Sequence, residues 1–159
     1  MKYKIKFKRL TETAKLPTQN KDDVGFDIYA DENTGWMVRN ANNAYFPPVK
    51  IRTGIALAER SPKTNGINTF FKIEGRSGLA SEGLFPTGGI IDASYRGELM
   101  VIMNNISGQN KFIKKGDKIA QLVLYGCLNN SGDISVELVE TDEIEKTERG
   151  DKGFGSSGR

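Results

Sequence analysis

Residues 149–159 (RGDKGFGSSGR) combine glycines, hydroxyls, arginines and one aromatic ring. Glycine lets backbone amides approach an anion closely, while serine and arginine add charge-assisted hydrogen bonds. A single phenylalanine ring can stack on a base. The segment therefore fits the binding of a nucleotide and its phosphates. Glycine and serine at a chain end are also typical of plain disorder, so this segment alone does not decide between the two.

A second group with phosphate chemistry lies in residues 75–80 (GRSGLA), which follow an alternating apolar run ending near Ile73. The segment predicts a short helical turn with Ser77 near its start, where backbone amides attract phosphate. Arg76 adds a bidentate fork and Ser77 a hydroxyl. The alternative is an ordinary turn that Ser77 merely caps.

A carboxylate and a tyrosine stand at the centre of a third segment, residues 88–98 (GGIIDASYRGE). Glycines and apolar residues lead into Asp92, then Tyr95, then a tight Arg-Gly turn, which predicts a hairpin built around a pocket. A carboxylate there can take a proton from water, and a tyrosine can pack flat against a sugar ring. In the alternative interpretation, Asp92 caps a turn and Tyr95 fills the core.

Two polar residues stand out of phase with apolar strand patterns. Asp27 alternates with Phe26 and Ile28, which places its carboxylate on the polar side of a strand and makes it available to a metal ion or its water shell. Gln121 lies on the opposite side of its strand from Ala120 and Leu122, and an amide in a covered strand needs hydrogen-bond partners. Both residues also fit ordinary solvated or locally paired side chains.

Composition limits the chemistry that these residues can perform. The chain has 159 residues, one cysteine and no histidine, which favours a single domain and excludes Ser-His-Asp and Cys-His triads. Any metal ion should be a hard cation held by oxygen. A lone Cys127 permits no intrachain disulfide and favours a reducing, cytosol-like compartment. No apolar run is long enough to cross a membrane and no signal peptide is recognisable, so no membrane association is expected.

The elements that must position these residues are strands. Period-two alternation recurs at 24–30, 49–57, 67–73, 99–103 and 134–138, with turn clusters at 61–66, 107–110, 115–117 and 129–133. No long amphipathic helix is visible, so an all-β sandwich or barrel follows. Residues 119–125 are apolar on both faces, which predicts a strand covered on both sides and a possible subunit contact.

The two ends of the chain differ from this pattern. Lysines at positions 2, 4, 6 and 8 alternate with apolar residues and predict a half-buried strand with a basic outer face. Such a stripe fits a protected strand edge, and with a net charge of +3 no stable nucleic-acid binding is expected. The chain turns polar near its end. We therefore expect a β-rich core over residues 1–141 and a linker with a glycine-rich arm over residues 142–159.

Taken in order, five segments resemble the five motifs of the homotrimeric deoxyuridine triphosphatases. They are residues 23–30 (DVGFDIYA), 75–80, 89–98, 116–122 (GDKIAQL) and 149–158. The resemblance implies a jelly-roll-like subunit of the β-clip type and a threefold homotrimer. Its active sites would lie at subunit boundaries, each closed by the C-terminal arm of a neighbouring chain. The implied reaction is hydrolysis of dUTP to dUMP and pyrophosphate, which limits uracil in DNA and supplies dUMP for dTMP synthesis.

The resemblance also implies residue roles. Asp92 would be the general base for the water that attacks the α-phosphorus, and Asp27 would hold the water shell of Mg²⁺ on the triphosphate. Tyr95 would lie under the deoxyribose and exclude a 2′-hydroxyl. The remaining substrate-binding residues would be Arg76, Ser77, Gly78 and Gln121 on phosphates, the backbone of Gly89, Ile90, Ile91 and Met100 on uracil, Phe154 stacked over the base with Gly155 beside it, and Arg149, Ser156 and Ser157 on the outer phosphates.

The chain departs from the family pattern at three positions. Ser94 stands where a second acidic residue is common, Lys152 replaces a common glycine of the arm, and Pro86 stands where bacterial relatives often carry an asparagine near the attacking water. The stretch 34–46 also looks longer than a minimal family member needs and has no assigned role. The expected location is the cytoplasm, or the host cytoplasm for a viral protein.

Two competing functions remain open at this point. The related dCTP deaminases share the fold and an Arg-Ser phosphate motif, but use a glutamate to activate water at cytosine; Asp92, Tyr95 and the phenylalanine-bearing arm favour the hydrolase. A nucleotide-sensing protein that controls a partner would use the same pocket without needing turnover. An intact Asp92 argues against loss of catalysis, but is compatible with a second, regulatory role.

Overall fold

The alternating apolar runs of the sequence form antiparallel strands. The computed structural model describes residues 4–35, 47–61, 63–64, 67–127 and 139–140. In chain order the elements are β1 (Phe7–Arg9), β2 (Phe26–Tyr29), β3 (Val49–Leu57), β4 (Lys63–Thr64), β5 (Ile67–Glu74), α1 (Ser77–Ser81), β6 (Leu84–Thr87), β7 (Ile90–Ile91), β8 (Glu98–Asn105) and β9 (Lys118–Cys127).

The strands form two sheets. One has the order β1-β3-β8-β6, and the other has the order β2-β9-β5-β4, with β7 also paired to β5. Every paired strand is antiparallel. The all-β fold class predicted from the sequence is confirmed.

The core is filled by the inward-facing residues of these strands. Ile51 and Ile55 of β3 and Leu99 of β8 are fully buried from one sheet, and Ile28 and Leu122 from the other. Burial of each such side chain contributes about 1.5–3 kcal/mol. Alternation therefore leaves the opposite face of each strand free for polar and charged residues, including those of the candidate site.

Most strand boundaries follow the sequence prediction. The predicted run 49–57 coincides with β3, 67–73 is one residue short of β5, and 99–103 lies inside β8. The strand predicted at 134–138 lies outside the described residues, as do residues 36–46 of the unassigned stretch. Three short strands, β4, β6 and β7, were not predicted. Two to four residues are too few for a periodic signal, and Pro86 lies within β6, an edge strand that tolerates a missing donor.

The N-terminal strand is half-buried with a basic outer face, as predicted. Ile5 and Phe7 pack against the core, whereas Lys4, Lys6 and Lys8 are exposed. Lys6 forms an ion pair with Glu59 at 2.9 Å. Among the described N-terminal residues, which begin at Lys4, Phe7–Arg9 is the part that pairs with β3.

Strand β9 is covered on both faces in its first half only. Ile119, Ala120 and Leu122 are fully buried, but Tyr125 is 39% exposed. The tyrosine ring stacks on Phe70 with centroids 5.6 Å apart. Within the single chain, the prediction of a doubly covered strand is therefore confirmed for the first half of β9, and the predicted subunit contact, which would cover the second half, stays a prediction.

A glycine bulge interrupts β3 beside β8. The register between these strands shifts between Arg52 and Ala56, and Gly54 has a positive φ of 65°. A Cβ atom at Gly54 would lie 2.6 Å from a carboxylate oxygen of Asp31, so only glycine fits. Within the described ranges, no helix is long and apolar enough to cross a bilayer.

Candidate functional site

Strand pairing brings the first and fourth motifs side by side. Asp27 of β2 lies opposite Gln121 of β9, and Gln121 lies opposite Glu74 of β5. Glu74 is followed directly by Gly75 and Arg76. The register of three strands therefore places a carboxylate, an amide and a guanidinium in one row, and we name Asp27, Arg76, Lys118 and Gln121 the charged row.

The carboxylate of Asp27 holds two cations. Lys118 Nζ lies 2.8 Å from Asp27 Oδ2, and Arg76 Nε lies 3.3 Å from Asp27 Oδ1. The side chain of Asp27 is only 15% exposed. The hydrogen bond to Asp27 raises the pKa of Lys118, so this ammonium is firmly charged. Sequence reasoning missed Lys118, although it lies inside the fourth motif.

The amide of Gln121 fixes the loop that carries Arg76. Its Nε2 donates to the Gly75 carbonyl at 3.0 Å, which satisfies the predicted need for a partner. Gly25 makes room for this side chain, because a Cβ there would lie 2.2 Å from Gln121 Oε1. The first motif therefore needs Gly25 to leave space for the Gln121 side chain of the fourth motif.

The predicted helical turn after Gly75 is present as α1. Arg76 is its N-cap residue and no side chain caps the helix, so the alternative in which Ser77 serves as a cap is wrong. Ser77 and Gly78 are exposed. The Nε of Arg76 is turned to Asp27. The hydroxyl of Ser77 is therefore accessible to an anion from solvent.

The third motif lines a cavity of about 270 Å³. Five of the predicted site residues meet there, and the full lining is Lys50, Gly88, Ile90, Ile91, Asp92, Tyr95, Glu98, Met100 and Ile102. The volume is close to the lower end of small-molecule sites, roughly 300 Å³. We call this cavity the Tyr95 pocket. Lys50 and Ile102 were not predicted, because they come from strand faces with no motif of their own. Glu98 ends the third motif, but no role was predicted for it.

Gly89 anchors one wall of the Tyr95 pocket to the other sheet. Its carbonyl accepts a hydrogen bond from the Ile73 amide at 2.8 Å, and a Cβ at Gly89 would lie 2.4 Å from the Ile73 carbonyl oxygen. The segment is not the hairpin that the sequence predicts. Strand β7 pairs with β5, whereas β8 pairs with β3 and β6. Residues 88–97 therefore leave the sheet that contains β6 and β8, pair with the other sheet at Ile90–Ile91, and return. The reason is that Ile91 is buried against the core and draws the segment to β5.

A second cavity, of about 370 Å³, adjoins Asp92. Asp92 and Ile90 line both cavities, and Ser94, Arg60 and Cys127 line the second one only. Asp92 is exposed, and so is Tyr95, so the alternative interpretation in which the tyrosine fills the core is wrong. The Asp92 carboxylate can contact water from either side.

The charged row and the Tyr95 pocket are separate in the single chain. The two cavities that contain Asp92 include none of Asp27, Arg76, Ser77 and Gln121 in their linings. The predicted arm residues Arg149, Phe154, Gly155, Ser156 and Ser157 lie outside the described residues. The structure thus presents two candidate half-sites, one with phosphate chemistry and one with nucleoside dimensions.

Comparison with known proteins identifies the family of this chain. The family model described as dUTPase matches residues 11–158. The deoxyuridine 5′-triphosphate nucleotidohydrolase of Paramecium bursaria Chlorella virus 1 is 39% identical over 153 residues, covering 95% of each chain.

Solved structures extend the likeness to the fold. The dUTPase of Staphylococcus bacteriophage 80alpha with dUPNHPP superposes with a TM-score of 0.73 at 27% identity, covering 99% of this chain and 100% of that chain. A mutant dUTPase from phage phi11 of S. aureus, described with a structural Mg(II) ion, gives a TM-score of 0.64 at 26% identity, covering 91% and 100%.

The two sheets and the Tyr95 pocket define an all-β protein with a candidate nucleotide site. The family match over nearly the whole chain makes the assignment specific. This chain belongs to the dUTPase family.

Proposed function

We propose that this protein is a dUTP diphosphatase that hydrolyses dUTP to dUMP and pyrophosphate. Membership of the dUTPase family over residues 11–158 supports the activity. The observation that carries the site assignment is the meeting of Asp92 and Tyr95 in one nucleoside-sized pocket. That pocket supplies a base for water and an aromatic surface for a sugar, which are the two groups that the reaction needs at the nucleoside end.

Asp92 acts as the general base in this proposal. Its carboxylate is exposed and lies where two cavities meet, so it can contact both a bound nucleotide and a water molecule. It would orient the water and take its proton as the oxygen attacks the α-phosphorus. The P–O bond to the bridging oxygen then breaks, and pyrophosphate leaves.

The charged row would bind the phosphates. Asp27 takes the Nε of Arg76, which leaves the two terminal amino groups of the guanidinium for phosphate oxygens. Ser77 and Gly78 follow on an exposed turn, and Gln121 holds that turn through the Gly75 carbonyl. These groups offset triphosphate charge that would otherwise repel a carboxylate base and an attacking hydroxide.

The donor set also fits a magnesium ion. Asp27 provides carboxylate oxygens, and Mg²⁺ usually keeps several waters while binding one or two carboxylates and substrate phosphates. Contact through water would leave the ion pairs of Asp27 with Arg76 and Lys118 intact. When bound, the ion supplies positive charge that stabilises the transferring phosphate. Among the described residues, no group of three or more carboxylate or thiol side chains forms a direct metal site.

Selectivity would arise in the Tyr95 pocket. Backbone groups of residues 89–91 and of Met100 would pair with uracil, and cytosine would leave those buried groups unpaired, a mismatch worth as much as ~10⁴ to 10⁵ in selectivity. Thymine must be excluded by a clash of its methyl group, because its hydrogen-bonding edge is the same. Tyr95 would exclude a 2′-hydroxyl by packing against the deoxyribose.

A homotrimer with shared active sites would join the two half-sites. The separation of the charged row from the Asp92 cavities within one chain supports a site completed by a neighbouring copy. The division into a core of residues 1–141 and an arm of residues 142–159 that closes over a neighbour's site belongs to the same proposal, as does a cytoplasmic location. A monomeric mass by light scattering would contradict it.

Product analysis tests the reaction. Purified protein with magnesium is incubated in parallel with dUTP, dCTP, dTTP and UTP, and the products are separated by ion-exchange chromatography. We expect dUMP and pyrophosphate from dUTP alone. Conversion of dCTP to a uracil nucleotide would make the protein a deaminase, and no turnover of any substrate would favour a nucleotide-sensing protein.

A further inference from the structure

The tyrosine of the third motif is held by backbone groups just after it in the chain. Tyr95 donates its phenolic hydroxyl to the Glu98 carbonyl at 3.1 Å. The ring lies over Gly97, where an added Cβ would come within 2.3 Å of the phenolic oxygen. The position of the ring therefore depends directly on where the backbone of residues 97–98 lies.

The side chain of Glu98 fixes that backbone to the neighbouring strand. Its two carboxylate oxygens lie 3.3 and 3.1 Å from Arg52 Nε, and Oε1 also accepts the Gly54 amide at 2.8 Å. The carboxylate is 17% exposed, so solvent screens these bonds only partly. One residue later, the Thr53 hydroxyl donates to the Leu99 carbonyl. Glu98 thus clamps the start of β8 onto the glycine bulge of β3.

The other hydrogen bonds of the turn at residues 92–96 hold its shape but do not connect its C-terminal end to β3. The Tyr95 amide donates to the Asp92 carbonyl at 2.9 Å, and Arg96 Nη1 donates to the carbonyls of Ala93 and Tyr95. All of these lie within residues 92–96. On the entry side, Ile91 pairs with Phe71 of β5. At its C-terminal end, the contacts of the Glu98 side chain with Arg52 and Gly54 are the first side-chain link to β3.

We propose that Glu98 is a positioning residue for sugar selectivity, acting through Tyr95. The inference rests on the proposed function, because it assigns the discrimination of dUTP from UTP to the placement of Tyr95. A small displacement of a positioned group, of about 1 Å, can change a rate by about 100-fold. Release of Glu98 would let the tyrosine ring move away from the sugar and make room for a 2′-hydroxyl.

Substitution of Glu98, with kcat/KM measured for dUTP and UTP, tests the inference. Glu98→Ala removes both the ion pair and the acceptor for Gly54, and we expect the dUTP-to-UTP ratio to fall by about 10-fold or more. Glu98→Gln keeps an acceptor for the Gly54 amide and should give a smaller fall. Arg52→Met, which removes the opposite side of the ion pair, should shift the ratio in the same direction.

A matched control separates positioning from general stability. Glu82 pairs with Lys111 at 3.1 Å outside the Tyr95 pocket, so Glu82→Gln should leave the ratio unchanged. Should Glu98→Ala fail to fold, Glu98→Gln and Tyr95→Phe, which removes the hydrogen bond to the Glu98 carbonyl, decide the matter through the same ratio. An unchanged ratio in folded Glu98 variants would overturn the inference while leaving the proposed function in place. Wild-type protein that does not hydrolyse dUTP would overturn both.

Discussion

Asp27 and Gln121 lie directly opposite each other on β2 and β9, although 93 residues lie between them in the sequence. Their side chains reach the same loop by different routes: Asp27 pairs with Arg76 at 3.3 Å and Gln121 donates to Gly75 at 3.0 Å. Three motifs distant in the chain are thus joined by strand register. A substitution in any one of these motifs should therefore change the position of Arg76.

Lys118 should contribute to phosphate binding, because its ammonium shares the Asp27 carboxylate with Arg76. Without Lys118, the Asp27 carboxylate could form further hydrogen bonds with the Arg76 guanidinium, which would then be less available to phosphate. The charged row would also lose one positive charge. We expect Lys118→Met to raise KM for dUTP by about 10-fold, the scale of one charge-assisted hydrogen bond. Steady-state kinetics checks this against Lys21→Met, an exposed lysine outside the row. Equal KM values for the two variants would contradict the role.

Gly25 should be required for seating the amide of Gln121. A Cβ atom at this position would lie 2.2 Å from Gln121 Oε1, and the side chain can move away at little cost in stability. Gly25→Ala should therefore weaken binding of a non-hydrolysable dUTP analogue, measured by calorimetry, with only a small change in melting temperature. Gly35→Ala is the matched control, since its Cβ would meet nothing within 4 Å. A large loss of stability with unchanged affinity would show that Gly25 serves packing instead.

The sequence predicts the long strands well because apolar residues recur at every second position over much of their length. Ile51 and Ile55 mark β3 by their alternation, and Phe71 and Ile73 mark β5 in the same way. The pairing partners do not follow from periodicity. Nothing in the chain near Ile90 and Ile91 shows that they join β5 and not β8, because two residues carry no register.

The residues of the candidate site also differ in whether the sequence alone reveals them. Residue types with evident chemistry, such as Asp92, Tyr95 and Arg76, are visible in the sequence. Lys118 and Glu98 are not, because an ordinary strand lysine or glutamate gains its role only from a partner on another strand. The local sequence pattern does not encode long-range pairing, so these two residues could not be predicted from it.

Substitution of Asp92 should separate catalysis from binding. Asp92→Asn keeps the size and polarity of the side chain but removes the base, so we expect turnover of dUTP to fall by at least about 100-fold. Affinity for a non-hydrolysable analogue should stay within a few-fold of wild type. A variant that retains turnover would contradict the assignment of the base. A partner function that survives in this variant would identify a sensing role independent of hydrolysis.

The C-terminal arm should be needed for turnover and not for folding. A chain ending at Glu148 lacks the predicted contacts of Arg149, Phe154 and Ser156 with the base and outer phosphates. Closure of such a segment expels water and aligns the substrate, so kcat should fall while the melting temperature stays the same. Phe154→Ala in the full chain should show a smaller fall than the truncation. A truncated chain that unfolds or keeps full activity would exclude this role.

Asp31 should make stability depend on acid pH. Its side chain is 5% exposed, and the carboxylate accepts hydrogen bonds from the hydroxyls of Thr11 and Thr13. It also forms an ion pair with Lys115 at 3.4 Å. Burial by itself raises the pKa of Asp31, but the bonds from these three residues outweigh it and hold the pKa below the ordinary value of 3.8. Because the folded-state pKa is the lower one, this contribution to stability is complete above the unfolded-state pKa. It is lost as the pH falls through the folded-state pKa.

Urea unfolding of wild type and Asp31→Asn as a function of pH measures this contribution. At neutral pH the variant should lose about 1–3 kcal/mol, since the hydroxyls and the ammonium lose a charged acceptor. The difference between the two proteins should shrink as the pH is lowered from about 4, because wild-type Asp31 then becomes neutral as well. Asp22→Asn, at an exposed position, should track wild type throughout. A gap between Asp31→Asn and wild type that stays constant down to the acid limit would mean that the ionised carboxylate is not the stabilising group.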